Sequence, residues 1–274
     1  MIALFLAAAI CNAEVCPERQ NDFCWENDKF GMRAYGPGEY HKWSGWDVFN
    51  KAANAEATCA DVLHGRGVNV NWHETPYKGI IDNYTMGASR GVGGIAMFAD
   101  GEWKTFPDWK SCEVLTNSDE MCEFKLVYPA FSALGEMTCH ITLRKGERFF
   151  KNTVSFANPK RIREFRLGPG LDVLPSRGHA GEIFEDASRG IVALFEDSRG
   201  DVEGSTATAV FIDPEDADGV EMMTDAQGCR IIAVKKPSFS YWAGGAWSKA
   251  GEITSPEIWF EHVMKAVREA EIKD

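Results

Sequence analysis

The chain has 274 residues, of which 45% are hydrophobic, 12% aromatic and 26% charged, a composition that supports a packed core and excludes an intrinsically disordered chain. Its formal net charge of -12 argues against nucleic acid and anionic membrane surfaces as partners, since both require a cationic face. No Pro- or Ser-rich linker divides the sequence, so residues 15–274 read as a single domain.

Residues 1–13 (MIALFLAAAICNA) are apolar, too short to span a bilayer, and end in small residues. Residues 1–14 therefore read as a signal peptide that lacks its basic start, which implies a secreted or periplasmic protein. Ile10 ahead of Cys11 argues against lipid attachment. Export permits disulfides. Cys112 and Cys122, which flank a polar loop between two expected strands, form the first candidate pair, and Cys16 with Cys24 the second. No Cys/His cluster has zinc spacing, and no recognisable calcium loop surrounds Glu26, Asp28 or Asp82, so neither a metal nor a cofactor is expected.

In chain order, the segment through Gly45 reads as irregular and Trp46–Ala57 as a short helix. From Gly94 the pattern becomes strand, turn, strand. Asp100-Gly101 marks a two-residue hairpin between strands at 95–98 and 103–106, and Lys145-Gly146 a turn between strands at 137–143 and 149–156. Further strands are expected at 124–128, 163–167, 191–195, 207–212, 230–234 and 239–242. Similar turns, EDASRG and EDSRG, bracket the run IVALF. Ser255-Pro256-Glu257 has the grammar of a helix start, and Trp259, Val263, Ala266 and Val267 share one face after it. About ten short strands with a C-terminal helix imply a mainly β chain: a large antiparallel β-sandwich whose two sheets stack over residues 94–242. The polar segments at 25–47 and 72–94 should meet over one of those sheets.

Chemistry concentrates in WHETPYKGIIDNYTMGASRGVGG (72–94). His73, Glu74, Asp82, Tyr84 and Arg90 supply a base, two carboxylates, a phenol and a guanidinium within one glycine-rich stretch. A second cluster, Trp25, Glu26, Asn27, Asp28 and Arg33, precedes it, and Trp247 and Lys249 in GAWSK follow late in the chain. Nine tryptophans offer core packing or sugar-stacking platforms alike. Lys160, Arg161, Arg163 and Arg166 form a local cationic patch suited to a uronate carboxylate, or to protecting a solvated strand edge. His41 and His64 read as surface or structural histidines.

WENDKFGMRAYG, SGWDVF, WHE, DNYTMGASRGVGG and YWAGGAWSK, in that order, resemble a family of secreted bacterial proteins of unknown function associated with polysaccharide degradation. The resemblance implies a β-supersandwich related to the galactose-mutarotase-like fold, and a carbohydrate ligand.

Two carboxylates flanking a glycosidic bond would suit a hydrolase. A lyase acting on a uronate uses more of these residues: a cation neutralises the substrate carboxylate, and His73 or Tyr84 removes the adjacent proton. On this reading His73, Tyr84, Arg90, Glu74 and Asp82 are catalytic, while Trp25, Glu26, Asn27, Asp28, Arg33, Trp247 and Lys249 bind substrate. A sugar epimerase would use a similar set, and a non-catalytic glycan-binding protein would use Trp stacking and hydrogen bonds without chemistry.

Overall fold

A computed structural model describes residues 10–38, 45–106, 108–130, 132–173, 181–198, 202–217 and 219–273. Residues 1–9 of the expected leader and His41 lie outside them. The chain is mainly β, with three antiparallel sheets and a C-terminal helix. Eight strands form the central sheet in the order β13 (Gly181–Asp186), β14 (Ile191–Asp197), β15 (Ser205–Ile212), β18 (Ser238–Trp247), β11 (Phe149–Phe156), β10 (Met137–Arg144), β9 (Met121–Tyr128) and β8 (Ser111–Asn117).

Local sequence explains these strands. β9 and β10 alternate strictly, so Phe124, Leu126, Ile141 and Leu143 point into the core while their neighbours face out. The turn Asp100-Gly101 has positive φ at both residues, 55° and 82°, as a two-residue hairpin requires, and joins β6 (Val92–Ala99) to β7 (Glu102–Thr105).

One face of the central sheet is covered by α2 (Pro256–Lys273), where Trp259, Val263 and Val267 pack on Phe149, Ala209 and Phe211. The helix begins as the sequence predicts, with Ser255 Oγ accepting from Ile258 N at 3.4 Å. The other face is covered by two five-stranded sheets. The first contains β1 (Asn12–Cys16), β2 (Asp22–Glu26), β3 (Phe30–Ala34), β4 (Trp46–Lys51) and β5 (Ile80–Ile81). The second contains β16 (Glu221–Thr224), β17 (Arg230–Ala233), β12 (Arg166–Leu171), β6 and β7. The cover is thus split between two sheets where the sequence suggested one.

Three local expectations are corrected. The segment before Gly45 is not irregular; it builds β1–β3. Trp46–Ala57 is not a helix, because WDVFNK alternates Trp46 and Val48 into the core with Asp47, Phe49 and Lys51 on the opposite face, and helix α1 is only Cys59–Leu63. The Cys112–Cys122 bridge is not formed: Cys112 lies opposite Leu126 and Cys122 opposite Asn117, so the thiols are out of register and both are free. Cys16 and Cys24 are also free, with their sulfurs 3.6 Å apart. β1 falls partly within the segment read as a leader, and Cys11 and Ala13 are buried there.

Candidate functional site

Side chains alternate along β2–β4, so one face of the first sheet (Phe23, Trp25, Met32, Trp46, Val48) enters the core and the other carries Asp22, Glu26, Arg33, Asp47 and Lys51. At one end of that outer face, the fully buried Arg33 guanidinium faces three carboxylates. Its Nη2 lies 2.5 Å from Asp47 Oδ2 and 3.1 Å from Asp82 Oδ2, its Nη1 lies 3.9 Å from Asp22 Oδ2, and it also donates to Tyr35 Oη at 2.6 Å. One cation cannot satisfy three anions. Among the described residues both Asp82 carboxylate oxygens, and Arg33 Nε and Nη1, have no hydrogen-bond partner. Burial, reinforced by Asp47, pushes the Asp82 carboxyl well above the ordinary range, and burial also raises Asp22 against the pull of Arg33.

His73 sits at the solvent edge of this cluster. Its side chain is 48% exposed, its ring packs 3.9 Å from that of Trp72, and its Nδ1 lies 3.1 Å from the Asp82 carbonyl. A carbonyl can only accept, so Nδ1 carries the hydrogen and neutral His73 keeps its lone pair on Nε2. Partial burial lowers the His73 pKa, opposed by the Asp82 carbonyl and assisted by Arg33. The ring is therefore a neutral base at physiological pH.

Arg19, which the sequence reading did not single out, lies 5.4 Å above the Trp72 ring, and among the described residues no carboxylate pairs with it. Its signal was weak, since a lone arginine after a strand (CPER) is ordinary. Only the fold brings it beside His73, which lies far further along the chain.

Asp82 begins a segment that continues β5 along the edge of β4. Asn83 turns inward, where Asn50 Nδ2 donates to its Oδ1 at 2.7 Å. Tyr84 is buried, and its hydroxyl has no hydrogen-bond partner among the described residues. Burial and the nearby Asp172 and Glu196 carboxylates push the Tyr84 phenol well above its ordinary range, which keeps it neutral. Arg90 is also buried. It packs against Gly170, donates to the Ala88 carbonyl at 2.8 Å and lies 3.5 Å from Asp225 Oδ2, so its charge is engaged inside the protein. Gly91, at φ 58°, brings this segment back to β4, where any Cβ would collide with the Trp46 carbonyl.

Three more of the predicted residues meet elsewhere. Exposed Glu74, exposed Lys249 and buried Trp247 line one cavity of about 250 Å³ with Thr75, Pro76 and Glu203. That volume lies below the ~300–1,000 Å³ of drug-sized pockets and suits a single small ring.

The Trp25–Asp28 cluster does not join this site. Trp25 is fully buried, its ring faces taken up by Trp46, Phe124 and Phe150. Glu26 accepts from Lys51 Nζ at 2.7 Å and from Cys59 N at 2.8 Å, at the start of α1. Asn27 ties the Arg144 and Glu147 carbonyls, and Asp28 accepts from Gly146 N at 2.6 Å. These three residues secure neighbouring turns and a helix. Arg166, in the cationic patch, pairs with Glu221 at 3.0 Å at the opposite end of β12 from Arg90, and the Arg163 side chain lies outside the described residues.

Among the described residues no group of three or more His, Cys, Asp or Glu side chains could hold a metal ion, and no helix is long and apolar enough to cross a membrane.

The chain is 25% identical over 276 residues to "Uncharacterized protein P7" of Formosa agariphila, an alignment that covers 93% of this chain and 66% of that protein. It therefore spans slightly less than two thirds of that relative's length. A "Putative kojibiose phosphorylase from human microbiome" superposes with a TM-score of 0.43 and 11% identity, over 89% of this chain and 32% of the other, a likeness too distant to transfer residue roles. Residues 7–273 match the family described as "Domain of unknown function (DUF4861)", and the chain belongs to that family.

Proposed function

We propose that the protein is a carbohydrate-active enzyme that moves a proton through His73, and that its reaction is β-elimination on a uronate-containing saccharide. One observation carries this reading: a neutral, half-exposed imidazole whose Nδ1 is fixed by a carbonyl, in front of a buried Arg33–Asp82 cluster that is left unsatisfied. A purely structural ionic cluster would complete its hydrogen bonds, as that of Glu26 does.

In the proposed step, His73 Nε2 takes the proton from the carbon beside the substrate carboxylate. The electron pair left behind forms the C=C bond and expels the glycosidic oxygen from the next carbon, and that oxygen leaves with a proton. On this reading Tyr84, whose hydroxyl has no hydrogen-bond partner among the described residues, supplies it. Arg19, stacked on Trp72 without an ion-pair partner among the described residues, is suited to neutralise the substrate carboxylate. Arg90, to which the sequence pattern gives that task, fits it less well, since it is buried against Asp225.

The test is a screen of the purified protein against uronate-containing polysaccharides, read by the ultraviolet absorbance of unsaturated uronates and by reducing ends. His73→Ala should lower turnover by about 100- to 10,000-fold without changing the melting temperature. New reducing ends without unsaturated product would replace elimination with hydrolysis. Binding without either product would replace the enzyme with a glycan-binding protein.

A further inference from the structure

The inner face of the central sheet changes character along its strands. Val192 of β14, Val210 of β15 and Ala243 of β18 lie side by side in the apolar core. The next row in register is Leu194, Thr208 and Gly245, and the row after it is Glu196, Thr206 and Trp247. Over these two rows the core gives way to a polar end. Asn50 of the facing sheet reaches into it, with its Nδ2 donating to Thr206 Oγ1 and Asn83 Oδ1, both at 2.7 Å.

Asn50, Asn83, Tyr84, Thr208 and Trp247 are each more than nine-tenths buried. Even so, among the described residues Asn50 Oδ1, Asn83 Nδ2, Tyr84 Oη, Thr208 Oγ1 and Trp247 Nε1 have no hydrogen-bond partner. A buried polar group without a partner is costly, so their concentration at one end of one sheet calls for a partner.

The chemistry of the set identifies that partner. It holds two obligate donors (an amide and an indole), one obligate acceptor and two hydroxyls that can do either, and it carries no formal charge. A phosphate or sulfate would require donors throughout, and a cation would require acceptors. An anionic group would also meet the nearby Asp172 and Glu196 carboxylates. A ring bearing several hydroxyl groups, each both donor and acceptor, matches a mixed and neutral set. Trp247, at one end of this set, also lines the cavity beside Glu74.

We propose that the polar end of the inner sheet face, formed by Asn50, Asn83, Tyr84, Thr208 and Trp247, is a binding subsite for an uncharged sugar unit. It rests on the carbohydrate reading above for its substrate class and not for its reaction. The acidic unit of the same saccharide would lie at His73 and Arg19, on the other side of the edge formed by residues 82–84.

The experiment titrates the full-length wild-type and His73→Ala proteins with glucose, galactose, mannose, xylose, rhamnose and their disaccharides up to tens of millimolar, read by saturation-transfer NMR and melting temperature. At least one uncharged probe should bind, and equally to both proteins. Thr208→Val and Trp247→Phe, which keep shape and remove a hydroxyl and an indole N–H, should each weaken that probe about five- to tenfold while the protein stays folded. Two results would overturn the subsite: no uncharged probe binds, or both variants bind as wild type and melt higher, in which case the groups hold buried water only. The outcomes separate from those of the proposed reaction. Turnover with unchanged binding in Thr208→Val and Trp247→Phe removes the subsite alone, whereas weakened binding with no turnover by the wild type removes the reaction alone.

Discussion

Two ionic clusters occupy the same outer face of the first sheet, on the same three strands, and they differ in how completely they are satisfied. At one end Glu26 and Lys51 form a balanced pair: Glu26 takes hydrogen bonds from Lys51 Nζ and Cys59 N, and Lys51 also donates to the Asn27 carbonyl. Helix α1 closes over them, which Gly31 permits, since a Cβ there would collide with the Cys59 sulfur. At the other end Arg33 faces Asp22, Asp47 and Asp82 with donors and acceptors left over, and the segment above it ends in the half-exposed His73. Residue types are similar in the two clusters. Completion of hydrogen bonds separates the two clusters, and on the proposed function it is the incomplete one that meets the ligand.

The sharpest way to break this comparison is to disrupt the satisfied pair. Lys51→Met leaves the buried Glu26 carboxylate without its cation, and removing one partner of a buried ion pair typically costs ~3–5 kcal/mol. Chemical denaturation should show a loss of that size. The double variant Lys51→Met/Glu26→Gln should recover part of it, because the uncompensated charge is gone. A loss below about 1 kcal/mol would mean that this pair is no more structural than an exposed one.

The second cluster should respond in the opposite sense. The folded state holds the Asp82 carboxyl above its unfolded value, so folding takes up a proton between the two. Stability is then lost as pH rises from the ordinary carboxyl range, about 4, through the raised folded value. Asp82→Asn removes this penalty, so its melting temperature near neutral pH should equal or exceed that of wild type, and the gap should close toward acid pH. Turnover should fall at least about tenfold, since the group behind His73 has lost its charge and geometry. A variant destabilised like Lys51→Met would show that Asp82 serves the fold.

The contrast also explains what the sequence could and could not reveal. The hairpin at Asp100-Gly101, the turn at Lys145-Gly146 and helix α2 were legible because each rests on a local signal: positive φ, a capping residue, or an apolar stripe. Strands β1–β4 were not. Of these, β2–β4 are buried on both faces, and apolar Cys24 and Phe49 on the outer face interrupt the apolar–polar alternation of DFCWE and WDVFNK. The 72–94 stretch could be picked out by its density of ionisable groups, yet the division of labour within it could not. Arg90 turned inward to Asp225, while Arg33, from a strand much earlier in the chain, came to lie against Asp82 behind His73. Such pairings depend on sheet register, which no local spacing encodes.

The smallest expected effect belongs to Arg19. Its guanidinium lies over Trp72 beside His73; among the described residues it forms no ion pair, and its charge reaches Asp22 and Asp82 only at longer range. Arg19→Ala should change stability by no more than about 0.5 kcal/mol, as for surface substitutions. Its influence should appear on acidic substrates alone: KM for a uronate-containing saccharide should rise several-fold, with added salt narrowing the difference between variant and wild type because an exposed charge pair is screened. Arg19→Lys keeps the charge and loses the planar fork, so it should recover only part of the affinity. If Arg19→Ala raised KM equally for neutral and acidic saccharides, its role would be packing against Trp72. If it altered neither, the cation that meets the substrate would have to be sought elsewhere, with Lys249 at the rim of the Trp247 cavity the next to test.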